Sequence, residues 1–203
     1  MVIAIVGSGG KTTLLKTLAQ TYRSQGKTVF VTTTTHMFIE EDTLLTDDAD
    51  HIIQTLQEKG YVMAGIAEKN KIKMLSEETY HKVCSFADIV LVEADGSKHM
   101  PLKYPASHEP NIPDNADEII VVAGLHGLHQ PASSVCHRLE LVKGCLHIED
   151  HTIIKPEHIV KLIKEGYIIP LTNRYPQKKV TVHLHSDGLV EQTAIMHWIL
   201  SQL

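Results

Sequence analysis

Long apolar runs are missing from this 203-residue sequence. No stretch approaches the roughly 20 apolar residues needed to span a bilayer. The apolar start MVIAIVG carries no basic leader and is too short for a signal peptide. A soluble, cytoplasmic protein is therefore expected. Cysteine is scarce as well: Cys84, Cys136 and Cys145 are three, an odd number without CxxC spacing. That argues against a disulfide framework or a four-thiolate zinc site, and the three read as reduced core or loop thiols. An excess of positive charge is also lacking, since 19 Lys and Arg against 24 Asp and Glu leave a net charge of -5. With the lysines scattered, no broad basic surface for nucleic acid is predicted, and any anion bound is a small one.

Histidine, by contrast, is abundant at 14 residues, including His126 with His129, Cys136-His137, Cys145 with His147, and His183 with His185. None of these has the paired spacing of a structural zinc site. A hydrophobic share of 43% supplies a sizeable core and predicts one domain over residues 1–203.

The apolar segments alternate in type. Val2 to Val6 is a β-branched run that reads as a buried parallel strand. From Thr12, Leu14, Leu15, Leu18, Ala19 and Tyr22 fall at helical spacing, with Gly26 as a left-handed stop. Further strands are predicted at Thr28–Thr34, Asp88–Glu93, Glu118–Ala123, Tyr167–Thr172 and Val180–His185. Helices are predicted at about Asp48–Glu58, Glu77–Phe86 and Pro156–Lys164, and in a C-terminal segment with Val190, Ala194, Ile195, Trp198 and Ile199 facing inward. Tyr61–Leu75 reads as a hairpin turning near Lys69-Asn70, and Pro101–Pro113 as an ordered loop. The alternation predicts an α/β fold, a P-loop NTPase-like, mostly parallel sheet flanked by helices, with a small hairpin excursion.

The chemistry concentrates where strand turns to helix, in IVGSGGKTTLL (Ile5–Leu15). A phosphate cradle needs a strand to fix the approach, glycines so that amides can crowd an anion, and a helix N-terminus facing it. Gly7, Ser8, Gly9, Gly10, Lys11, Thr12 and Thr13 supply these parts. Lys11 would meet the terminal phosphates, Thr12 would place a hydroxyl on Mg²⁺, and Thr13 would reach an inner phosphate. The common GxxxxGKS/T pattern requires a glycine where this chain has Ile5, so the loop is the compact GxxGKT kind. The competing reading is a glycine-rich turn with a solvated lysine.

A second motif, Glu93-Ala94-Asp95-Gly96, ends an apolar strand where a carboxylate can hold Mg²⁺ directly or through water. Glu93 is the expected metal residue beside Thr12, and Asp95 is grouped with Lys11 and Glu93 as a catalytic candidate. Thr32–Thr35 followed by His36 closes the second strand, either as β-formers or as hydroxyls near metal and phosphate. Downstream, Lys98, Lys103, His108 and Glu109 sit in a proline-stiffened loop. With Thr35 and His36 they are the candidates for an anionic second substrate or a partner. Asn173-Arg174 is followed by Tyr175-Pro176, not by the aspartate of a guanine-reading NKxD motif.

Taken together, GSGGKTTLL at 7–15, TTTTHM at 32–37, EADGSKHMPLKYPASHEPNIP at 93–113 and VCHR at 135–138 resemble the YqeC-type accessory proteins. Those are proposed for selenium-dependent molybdenum hydroxylases and selenium cofactor biosynthesis. The resemblance implies a P-loop fold that binds Mg²⁺ with ATP or GTP. It also implies a role in maturing such a hydroxylase or its cofactor, with a cofactor precursor or the hydroxylase as partner. The chain departs from that pattern at GLHGLHQP, which places His126 and His129 there. The short loop is also similar to that of Mur-type ATP-dependent amide ligases, which likewise use a strand-end glutamate for magnesium. The expected function is an NTPase or NTP-dependent transferase. The alternatives are a nucleotide-gated chaperone or binding module, a Mur-like ligase, and a histidine-rich metal-trafficking protein.

Overall fold

The structure, a computed structural model, describes residues 1–186, 188 and 190–203, with residues 190 and 191 described by their backbone alone. The chain divides into two compact units. The first comprises Met1–Ile5, Thr12–Ala94 and Asn111–Glu118; the second comprises Val6–Lys11, Asp95–Pro110 and Ile119–Leu203.

The first unit contains β1 (Val2–Gly7, whose last two residues belong to the second unit), α1 (Lys11–Ser24, whose first residue belongs to the second unit), β2 (Val29–Thr33), β3 (His36–Phe38) and β4 (Thr43–Leu45). These are followed by α2 (Ala49–Lys59), β5 (Tyr61–Glu68), β6 (Lys71–Lys73), α3 (Glu77–Cys84) and β7 (Ile89–Glu93). Its core is parallel: β7 lies between β1 and β2, and β5 adds to β2, with Val2 opposite Val90 and Val29 opposite both Ile89 and Tyr61. β4 joins β5 in parallel. The expected hairpin is present, with β6 antiparallel to β5 and Lys69 taking the left-handed turn conformation at φ 58°. β3 extends it antiparallel to β6.

β1 is an unbroken apolar run, and β2 and β7 are apolar up to Thr32 and Glu93; a strand covered on both faces has no polar side to alternate, and all three are buried throughout. The helices start where their sequences direct. Asp48 accepts the Asp50 and His51 N–H groups at the head of α2, and Gly60 ends it in the left-handed region. Ser76 accepts the Thr79 N–H at the head of α3.

The second unit contains β8 (Leu102–Lys103), β9 (Glu118–Gly124), α4 (Ala132–Val135), β10 (Cys136–His137), α5 (Leu139–Leu146) and α6 (Pro156–Ile163), followed by α7 (Ile169–Arg174), β11 (Lys179–His185) and α8 (Val190–Gln202). β9 is neighbour to β11, and β8 pairs with β10 in parallel. Pro156 opens α6 where its missing N–H costs nothing, and His158 Nδ1 accepts the Lys155 N–H at 3.2 Å.

Two expectations are corrected in this unit. Tyr167–Thr172 is not a strand. Residues Lys164–Ile168 form a π-helical turn that continues α6, and α7 comes directly after it with Pro170 in its first turn. A six-residue apolar run has no period that separates strand from helix, and proline is tolerated at a helix start. Among the described side chains of the expected inward set in α8, only Ile199 is buried, while Ala194 and Trp198 are exposed and Ile195 is half-buried. The Val190 side chain lies outside the described residues. None of the helices described is long and apolar enough to cross a membrane.

Candidate functional site

β1 delivers the chain into the glycine loop, and α1 begins at Lys11. Gly7, Gly9 and Gly10 all have positive φ, at 86°, 71° and 135°. Such angles are costly for any residue with a Cβ. Space excludes one too. A Cβ on Gly7 would lie 2.1 Å from Val122 O, one on Gly9 2.4 Å from Pro101 O, and one on Gly10 2.4 Å from the His185 ring. The loop is tied down by hydrogen bonds from Ser8 N–H to Val122 O (2.9 Å) and from Ser8 Oγ to Pro101 O (3.0 Å).

Lys11 is almost fully buried, with 5% exposure. Its ammonium folds back over the loop, donating to Gly7 O at 2.9 Å and to Ser97 Oγ at 3.2 Å. The first N–H groups of an α-helix have no intrahelical acceptor. A cation held above a glycine turn at such a terminus is a donor set that fits a phosphate. Thr12 and Thr13 are exposed at the start of α1. Thr12 and Glu93 both belong to the first unit. Glu93 is buried at the end of β7, in register with Ile5 and Thr33. A threonine hydroxyl and a carboxylate are the ligand types that suit Mg²⁺.

Asp95 is placed differently from an acid that meets substrate. It is fully enclosed. One oxygen accepts the Gly7 N–H (3.2 Å) and the Tyr167 hydroxyl (2.9 Å), and the other accepts from Lys103 Nζ. Lys103, likewise without exposed side-chain surface, also pairs with Glu109 at 2.8 Å and donates to Gly96 O at 2.6 Å. Glu109 then receives Arg138, with Nε to Oε2 at 3.1 Å and Nη2 to Oε1 at 2.7 Å, and the Ala106 N–H at 3.1 Å.

Burial by itself would raise the Glu109 carboxyl. The hydrogen bonds from Arg138, Lys103 and Ala106 outweigh it and hold the group at about 2. Burial first, and the Asp95 charge next, push the Tyr167 hydroxyl well above its ordinary range. Burial lowers His137, and the neighbouring Lys103, Arg138 and Lys98 charges act the same way.

The remaining expected residues are dispersed. His36 Nε2 lies 2.7 Å from Glu68 Oε2 on the hairpin. The Thr35 N–H donates to Thr33 Oγ at 2.9 Å. Lys98 and His108 are exposed, Lys98 with φ 49°. Lys103 and Glu109, expected to receive a second substrate, are instead enclosed in the ion network. Sequence reasoning missed Tyr167, Ser97 and the partner role of Arg138. The only signal for Arg138 was its place in VCHR. The three cysteines are free thiols. Among the described residues no three histidines, cysteines or carboxylates are grouped to hold a metal ion. The His126 and His185 rings meet edge to face at 6.3 Å.

The chain is similar to known proteins. Among solved structures the chain is similar to the MinC:MinD cell division protein complex of Aquifex aeolicus, with a TM-score of 0.39 and 14% identity, covering 98% of this chain and 86% of that one. It is 36% identical over 141 residues to the uncharacterized protein YqeC of Escherichia coli (strain K12), a match of 66% of this chain. The chain spans little more than half, 55%, of that relative's length. The model of the YqeC protein family matches residues 3–140, a stretch that holds the glycine loop, Glu93, the Asp95–Glu109 segment and Arg138. The chain belongs to the YqeC family.

Proposed function

We propose that this protein binds a Mg²⁺-nucleoside triphosphate, ATP or GTP, at Gly7–Thr13. It would use it as an NTPase or NTP-dependent transferase in maturing a selenium-dependent molybdenum hydroxylase or its cofactor. The observation that carries the nucleotide reading is the strand–glycine–helix turn, in which three glycines take left-handed angles and Lys11 Nζ closes over Gly7 O. Thr12 and Glu93 are the residues that would hold the metal. The selenium and molybdenum part rests on the family resemblance. On the same reading the protein works in the cytoplasm, with a cofactor precursor or the hydroxylase as partner and without nucleic acid. Exposed Lys98 and His108 remain the candidates for an anionic second substrate.

The test is calorimetric titration of Mg²⁺-ATP and Mg²⁺-GTP into the wild type and Lys11→Ala. Hydrogen bonds to charged groups contribute about 1.5–3 kcal/mol each, so the variant should bind at least about tenfold more weakly. Equal affinity of the two proteins rejects the site.

One observation favours a second reading, a nucleotide-gated binding module. The loop amide of Gly7 is bonded directly to Asp95 at the head of the Asp95–Pro110 segment, so a change at the loop has a route into that segment. Phosphate release measured with and without the partner hydroxylase separates the two, since fast turnover by the isolated protein excludes a pure binding module.

A further inference from the structure

Lysine is among the residues least often fully buried, and an enclosed ammonium is tolerated only when paired and hydrogen-bonded. Lys103 meets that condition with three acceptors: Asp95 Oδ1, Glu109 Oε2 and Gly96 O. The charges then alternate in sign from Asp95 through Lys103 and Glu109 to Arg138, and the negative end grips the amide of Gly7, the first glycine of the loop.

Three separate pieces of backbone are arranged around this line. The β8–β10 pair sets Lys103 opposite His137. Arg138 takes a left-handed conformation at φ 61°, unfavourable for a residue with a side chain. The π-turn carries Tyr167 to Asp95, and turns of this kind are frequent at functional sites. A buried ion pair is a poor means of gaining stability, because well-packed apolar residues of the same volume do as well or better. The arrangement therefore calls for a reason other than stability, and the position of its inner end supplies one.

We propose that Asp95 and Lys103 are positioning residues of the nucleotide site. Asp95 fixes the Gly7 amide, and with it the course of Gly7–Lys11, while Lys103 holds the Asp95 carboxylate in the orientation that does so. This rests on the nucleotide reading given above. Asp95 has no exposed surface and acts through the loop, not on a ligand. The EADG and VCHR motifs then belong to one device, since Arg138 secures Glu109, Glu109 secures Lys103, and Lys103 secures Asp95.

The experiment compares wild type, Lys11→Ala, Lys103→Met, Tyr167→Phe and the double variant Asp95→Leu with Lys103→Met. The readouts are melting temperature and affinity for Mg²⁺ with fluorescent mant-ATP and mant-GTP. Lys103→Met alone leaves the Asp95 charge buried and should melt well below wild type. The double variant removes both charges and should recover most of that loss, yet bind nucleotide at least about tenfold more weakly, the equivalent of one hydrogen bond to a charged group. A double variant that melts and binds like wild type overturns the proposal and leaves the network a structural one.

If the double variant does not fold, Tyr167→Phe decides. It keeps the ion pair but removes one donor from Asp95, and should weaken binding about 3- to 10-fold with a smaller drop in melting temperature than Lys103→Met shows. Unchanged affinity overturns the proposal. Failure of the nucleotide reading is seen separately, as a wild type that binds neither nucleotide or a Lys11→Ala variant that binds both as tightly.

Discussion

Lys103 Nζ lies 2.8 Å from Glu109 Oε2, and none of the lysine side chain reaches solvent. Glu109 is thus a carboxylate whose ionised form the fold requires. Arg138 grips it through both of its oxygens, sharing Oε2 with Lys103.

That requirement sets a pH window. The Glu109 carboxyl is held at about 2 in the folded protein against an ordinary 4.5, so its contribution is fully present above about pH 4.5 and is lost as pH falls towards 2. Glu109→Gln lacks this dependence. Denaturant melts from pH 7 to pH 2 should show wild type more stable than Glu109→Gln at neutral pH. The gap should narrow only below about pH 4.5. A gap that stays constant down to pH 2 would show that the ionised carboxylate is not what Lys103 and Arg138 stabilise.

The glycines of the loop should differ in tolerance from a glycine elsewhere with a similar angle. Gly9 has φ 71° with Pro101 O where a Cβ would go, while Gly26 has φ 76° with nothing within 4 Å. Gly26→Ala should cost only the left-handed penalty, about 1–2 kcal/mol. Gly9→Ala adds a backbone collision and should cost more, with a larger drop in melting temperature. Equal melting of the two variants would place the loop in a different conformation.

For Glu93, substitution by Gln keeps the shape and removes the charge that a divalent cation needs. Magnesium-dependent turnover should fall at least about tenfold, while nucleotide affinity in EDTA is unchanged. Equal effects with and without magnesium would remove Glu93 from the proposed metal site.

The thiol of Cys136 is pushed up to about 12 by burial on β10. Since the thiolate is the reacting form, iodoacetamide at pH 8 should label Cys136 slower by about three orders of magnitude in the folded protein than in urea. Rapid labelling of the native protein, read by peptide mass spectrometry, would contradict its enclosure.

Much of the first unit was legible because its signals are local. Apolar runs rich in β-branched residues gave β1, β2 and β7, and the helix expected at about Asp48–Glu58 is α2. The glycine loop was legible because only glycine serves at its angles. The enclosure of Lys103 was not, since a lysine among prolines reads as a surface charge until Glu109 and Arg138 are seen around it. β8 and β10 have two residues each, too few to carry a period. In α8, Ala194, Ile195, Trp198 and Ile199 sit on a helix that is apolar on more than one side, so spacing alone did not select Ile199 as the buried member.

The π-turn at Lys164–Ile168 holds one residue more than a regular turn would. Deleting Glu165 would let α6 run on as an ordinary helix and leave the residues downstream close to their present orientation, because the wider turn has already taken up the extra residue. A one-residue surplus in a helix outside the family-matched stretch thus holds the tyrosine whose hydroxyl meets a carboxylate inside it.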